Sequence, residues 1–366
     1  MCRCPQRRLG STRRHTRATP HRLQSVADVE GEHYWRRLCP TLHVNDERFV
    51  NETKARLRSL MARRLAGEGE SRESSLRGDM LADGYFKVRT FSKEITHARP
   101  IGPHTTRQLQ MPGVEWPFRV SLLAEAVATL VRFGWHPVWV IMYDEAWLMA
   151  YAVHLLMRQV VNCDLQFNAD FWAWYIDPVL QEKGWEPHRD RQTMPFNDRG
   201  EPAYVTAWIP FTDATPENGC IYVVPALFDE DYASGKESTD FDVQNVRALP
   251  AAAGRATVPR IALSMAFSTS DFEDPWLRLA AHGDHNDDDD DEAEPIPNNR
   301  DKSDDDADGQ KRMKAGGQET CDAIPPPSVR SRLSVVATQH HLYEAQVAIP
   351  PHIAHILHNL EDPPST

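Results

Sequence analysis

The sequence predicts a mostly β, α+β fold: a double-stranded β-helix, or jelly roll, braced by N-terminal helices. Three observations predict it. Apolar residues recur at helical spacing as far as residue 161. From residue 170 onward, short aromatic-rich segments alternate and are divided by strong turn chemistry. Apolar residues make up 41% of the 366, enough for both kinds of segment to share one sizeable core.

The elements follow in order. Residues 49–65 form an amphipathic helix, with Phe49, Val50, Leu57, Leu60, Met61 and Leu65 near one face. Residues 81–88 read as a helix end passing into a strand. Residues 121–133 form a second helix, with Ser121 as its expected N-cap and Gly134 closing it. The apolar run 137–161 is broken by Asp144, Glu145, His154 and Arg158, so it reads as a buried helix or strand–helix unit rather than a membrane span. Residues 170–176 are a strand dense in aromatics. In residues 204–211 Tyr204, Thr206 and Trp208 alternate with Val205, Ala207 and Ile209. Thr215-Pro216-Glu217-Asn218-Gly219 is a turn, from which residues 220–224 are expected to return as the partner strand. Residues 260–267 are a further strand, with Arg260, Ala262 and Ser264 on one face and Ile261, Leu263 and Met265 on the core side.

The charge balance excludes some functions. Residues 284–308 hold 13 acidic and two basic side chains, so this tract carries nearly all of the net charge of −12. The rest of the chain is close to neutral, and nothing argues for a nucleic-acid surface. Blocks of like charge repel and stay extended, so residues 283–318 are expected to be a disordered insertion. The six cysteines show neither zinc-type pairing nor a disulfide framework, which suits a reducing, intracellular compartment. The first 23 residues carry seven arginines and no acid, a bias shared by organellar transit peptides. Few aliphatic residues interrupt them, so cytoplasmic and organellar placements both stay open. Oligomeric state cannot be read.

One short motif carries chemistry. In Trp185-Glu186-Pro187-His188-Arg189-Asp190 a His-x-Asp pair offers one neutral imidazole and one carboxylate at a strand end. These are two of the three ligands of a facial triad on non-haem Fe(II), which leaves positions open for oxygen and a co-substrate. The spacing recurs at His282-Gly283-Asp284 and His285-Asn286-Asp287, but inside the acidic tract, where no pocket can form. The competing structural reading makes His188 and Asp190 a surface strand end whose charges pair with Arg189 and Arg191. His352, His355 and His358 are regularly spaced but lack acid or cysteine partners, and read as a helix face.

The flanks of the motif settle its context. GWEPHRDR (184–191), YVTAWIPFTDATPENGCIYVVP (204–225), VRALPAAAG (246–254) and PRIALSMAF (259–267) together resemble the phytanoyl-CoA dioxygenase family. The resemblance is strongest over residues 171–267, looser over 81–88 and 137–147, and extends toward 332–357. It implies a cupin-like domain over residues 30–282 and 319–362, preceded by the basic leader (1–29) and interrupted by the acidic insertion. It also implies Fe(II)- and 2-oxoglutarate-dependent oxygenation of a small organic or lipid-like substrate. His188 and Asp190 would then be metal ligands, and Arg260 the group that grips 2-oxoglutarate. A planar guanidinium suits a carboxylate because it offers two parallel donors. Ser264, on the same strand face, and Thr206 would add hydroxyls. Trp174, Tyr175, Tyr204 and Trp208 would line the substrate pocket.

The sequence departs from the family pattern in one place. A second metal-binding histidine is expected shortly before the arginine, yet only Arg255-Ala256-Thr257-Val258-Pro259 separate Gly254 from Arg260. No histidine lies between His188 and His282. The competing expectations are therefore an inactive relative that binds or scaffolds, or a truncated gene model that lacks the segment carrying this histidine.

Overall fold

A computed structural model describes residues 29–68, 70–88, 119–161, 165–180, 182, 184–191, 196–232, 234, 241–251, 259–269, 272, 327–342 and 354–355. The leader up to residue 28, residues 252–258, the acidic tract, His282, His285, His352 and His358 lie outside the described residues. The fold is mixed helix and antiparallel sheet. Among the described residues helices α1 (Glu32–Leu38), α2 (Glu47–Glu68), α3 (Glu70–Asp83), α4 (Val120–Arg132), α5 (Asp144–Val161) and α6 (Val329–Leu342) hold more of the chain than the strands do. The expectation of a mostly β chain is corrected accordingly. The helices are a large part of the core rather than a brace around it.

α4 shows how sequence sets a helix. Leu123, Ala126, Val127 and Leu130 fall on one buried face. The chain ends it with a Schellman closure: Gly134 takes φ +84°, its N–H donates to Val131, and the Trp135 N–H donates to Leu130. Glycine is needed there because a Cβ disfavours that left-handed backbone. The N-cap is Arg119, with no side-chain hydrogen bond, not Ser121. Pro137–Met142 is a 3-10 helix rather than a strand, and His136 caps it by accepting the Val138 N–H through Nδ1. An apolar run of that length has no periodicity to separate the two outcomes, and a proline at the first position suits a helical start.

The N-terminus of α5 is the anchor of the helical layer. Asp144 accepts N–H groups from Asn45 and Asp46, and Glu145 accepts that of His43. Carboxylates here also face the positive end of the helix dipole. Arg332 of α6 completes the anchor with a 2.5 Å ion pair to Asp144, both side chains fully buried. Around it pack Trp35, Trp139, Trp147 and Tyr143, each removed from solvent.

The main sheet has the order β1–β5–β2, all antiparallel, from β1 (Gln166–Ile176), β2 (Tyr204–Pro210) and β5 (Arg260–Ser268). β5 is central and buried on both faces, so Ile261, Leu263 and Met265 do not mark its only covered side. β3 (Ile221–Val223) pairs with β4 (Arg247–Leu249), not with β2 as the turn chemistry suggested. The turn itself forms: Pro216–Asn218 is a 3-10 turn and Gly219 adopts φ +85°. Register then defines two sheet faces. Trp172, Ser264 and Trp208 lie side by side on one, with Trp174, Ala262, Arg260 and Thr206. Phe171, Ala173, Tyr175, Ile261, Leu263, Met265, Phe267, Val205 and Ala207 occupy the other, which α5 covers through Trp147 on Phe167 and His154 on Phe267. Among the described residues no helix is long and apolar enough to cross a membrane.

Candidate metal and carboxylate site

The loop at residues 184–191 lies over the Arg260 face of the sheet. Trp185 fixes it there, with its ring 4.7 Å from Trp174 and 5.8 Å from Trp172 between centroids. At Gly184 a Cβ would sit 3.7 Å from the Arg260 guanidinium, so the start of the loop runs directly past that side chain.

His188 and Asp190 converge at the other end of the loop. His188 Nε2 is 3.3 Å from Asp190 Oδ1, and the two side chains are 38% and 42% exposed. His188 Nδ1 is 2.7 Å from the Glu186 carbonyl, an acceptor that favours a proton on Nδ1; Nε2 then donates to Asp190 when the ring is protonated and presents a lone pair when it is neutral. Asp190 Oδ2 accepts a 2.5 Å hydrogen bond from Thr206. Burial pushes the Asp190 pKa up. The bonds from His188 and Thr206 and the charge of Arg191 outweigh it, so the carboxyl titrates below its ordinary range.

The two neighbouring arginines do not pair with the Asp190 carboxylate, as the competing structural reading required. Arg189 forms a 2.5 Å ion pair with Asp229, and Arg191 a 2.7 Å pair with Asp170. Arg191 also donates to the Asp190 carbonyl at 2.8 Å and stacks over Tyr204. Sequence reasoning missed Asp170 and Asp229. They lie 21 and 40 positions from their partners, and no local pattern signals such pairs.

Arg260 is 5% exposed and sits between Trp174 and Trp208, 5.6 Å from each ring centroid. Its Nε–H has no acceptor, and the Trp174 indole N–H beside it has none either, among the described residues. Burial lowers the Arg260 pKa to about 10, with the nearby Cys220 acting weakly the other way. A guanidinium at that value is still charged near neutrality. It therefore stands as a buried cation with no carboxylate beside it among the described residues.

The remaining candidates divide by sheet face. Trp174, Trp208, Thr206 and Tyr204 share the face of Arg260. Tyr175 does not: its register partner is Ile261, which puts it on the opposite face against the helical core. Adjacent strand residues point to opposite sides, so Trp174 and Tyr175 cannot both line one pocket. Ser264 shares the Arg260 face, but its hydroxyl donates to the Trp172 carbonyl at 3.3 Å.

For a ferrous ion, His188 and Asp190 supply the right donor types in a convergent pair. Among the described residues no three His, Cys, Asp or Glu side chains come together as a metal site, so the pair would supply only two of the three ligands a facial triad needs.

The comparisons with known proteins bear on this loop directly. Residues 117–227 match the family model described as phytanoyl-CoA dioxygenase (PhyH). The match runs from the start of α4 to the turn after β3. It takes in His188, Asp190, Thr206 and the aromatic candidates, and ends before Arg260. It bears out the resemblance read from the sequence, beginning earlier and ending earlier than the blocks quoted there. No curated protein matches the chain.

Proposed function

We propose that the chain is an Fe(II)- and 2-oxoglutarate-dependent oxygenase of the phytanoyl-CoA dioxygenase type, acting on a small organic or lipid-like molecule. The observation that carries the reading is the pairing of two features on one sheet face: a converged His188–Asp190 pair, and a buried Arg260 with no carboxylate beside it among the described residues. In this reading the described sheets are part of a double-stranded β-helix spanning residues 30–282 and 319–362, with leader and acidic insertion outside it, in an intracellular protein. His188 and Asp190 hold the metal. Arg260 binds the far carboxylate of 2-oxoglutarate, with Trp174 and Trp208 excluding water from the contact and so strengthening it. When bound, ferrous iron supplies the oxygen chemistry that the side chains themselves lack. The roles of the chain are to orient the co-substrate and to keep the site dry.

A second reading has its own observation. Residues 252–258 contain no histidine, and the described residues offer no third ligand. An inactive relative would keep the anion site and lose turnover. Succinate formation from 2-oxoglutarate separates the two. The oxygenase reading expects iron-dependent succinate that disappears in His188→Ala, Asp190→Ala and Arg260→Ala. Saturable 2-oxoglutarate binding without any iron-dependent succinate would establish the second reading and overturn the first. Turnover that survives His188→Ala would move the metal elsewhere, with His282 the first residue to change.

A further inference from the structure

We infer that Thr206 is a positioning residue for Asp190 and not a contact of the co-substrate. This rests on the metal reading of the His188–Asp190 pair. The Thr206 hydroxyl has a single proton, and it is committed to Asp190 Oδ2 at 2.5 Å. The Tyr204 hydroxyl lies 3.4 Å from Thr206 Oγ1, and with the Thr206 proton on Asp190 it is the Tyr204 O–H that can donate across this gap. The carboxylate is therefore divided. Oδ2 belongs to Thr206, and Oδ1 is turned toward His188 Nε2 at 3.3 Å.

The mechanical argument supports the same role. Asp190 sits in a loop, whereas Thr206 is inside β2, in register with Ala266 of the central strand β5. A β-branched side chain on a paired strand has little χ1 freedom, so it can serve as a fixed post. Arg191 also holds the Asp190 carbonyl while its own guanidinium is tied to Asp170. The loop carboxylate is thus referenced to the sheet. With Oδ2 engaged by Thr206, Asp190 would offer a metal its other oxygen, Oδ1. Partners of this kind orient metal ligands, and their loss costs about 10–100-fold in metal affinity.

The test uses the full-length chain with Mn(II) as a redox-inert probe, following free Mn(II) by its paramagnetic resonance signal. Thr206→Val and Thr206→Ala should bind Mn(II) about 10–100-fold more weakly than wild type. Thr206→Ser, which restores the hydroxyl, should stay within a few-fold of wild type. Equal melting temperatures across the set would show that the side chain is not merely structural. A co-substrate role predicts the reverse pattern: Mn(II) affinity unchanged in Thr206→Val, and 2-oxoglutarate affinity of the Mn(II)-loaded protein reduced. That result overturns the inference, as does failure of serine to rescue. Asp190→Ala keeps the two levels of the argument apart. If it abolishes Mn(II) binding while Thr206→Val does not weaken it, the inference alone is wrong. If Asp190→Ala changes nothing, or wild type binds no Mn(II), the metal reading itself falls and the inference with it.

Discussion

Two buried arginines in this molecule have opposite surroundings. Arg332 is fully buried and well answered: Asp144 at 2.5 Å, the carbonyls of Met142 and Pro327, and the Asn45 side chain take up four of its five donors. Arg260 is almost as buried, yet among the described residues it has aromatic walls and no carboxylate. Burying a charge is expensive unless it is paired. Arg332 clamps α6 to the N-terminus of α5. Arg260 has no such partner among the described residues.

The comparison can be broken most severely at the clamp. Arg332→Ala leaves Asp144 buried and unpaired, and should cost about 3–5 kcal/mol in urea unfolding. A loss below about 1 kcal/mol would show that the two arginines do not differ as described. Acid should attack the same region next. Burial lowers the pKa of His340 to about 4 and, with the adjacent His340 adding to it, that of His136 to about 3. The unfolded chain then takes up protons first as pH falls through about 6.5, so stability is full above that pH and declines below it by up to about 1.4 kcal/mol per unit per ring. The decline ends where the folded rings protonate. His340→Phe should flatten this profile, and an unchanged profile would contradict the assignment. At Arg260 the expected stability effect is smaller and of opposite sign. Arg260→Met removes an unanswered charge and should leave the unfolding free energy unchanged or raise it by about 1–2 kcal/mol. The surface sets the floor. Arg48 and Glu52 pair at 2.9 Å with 88% and 63% of their side chains exposed, and Glu52→Gln should leave the urea unfolding midpoint unchanged.

The sequence made one class of feature readable. α2, α4 and α5 were legible because apolar residues fix a helix locally. The alternation in β2 and the left-handed Gly219 were legible for the same reason. Pairing was not. Residues 221–223 follow a well-formed turn from β2, yet join residues 247–249, a choice made by the whole sheet. In the site, His188 and Asp190 stood out as a donor pair, and Arg260 as a strand-start cation. What could not be read was how each polar group is answered: Asp229 and Asp170 for the loop arginines, Thr206 for Asp190. Tyr175 is a different failure, since strand parity alone separates it from Trp174.

The central claim is that Arg260 waits for a carboxylate, and 2-oxoglutarate binding tests it most directly. Calorimetric titration of 2-oxoglutarate into the Mn(II)-loaded chain should give saturable binding. Arg260→Met, folded and no less stable than wild type, should bind about 10–100-fold more weakly, the loss expected for a charged hydrogen-bonding partner. Equal affinity of the two proteins for 2-oxoglutarate would contradict the account.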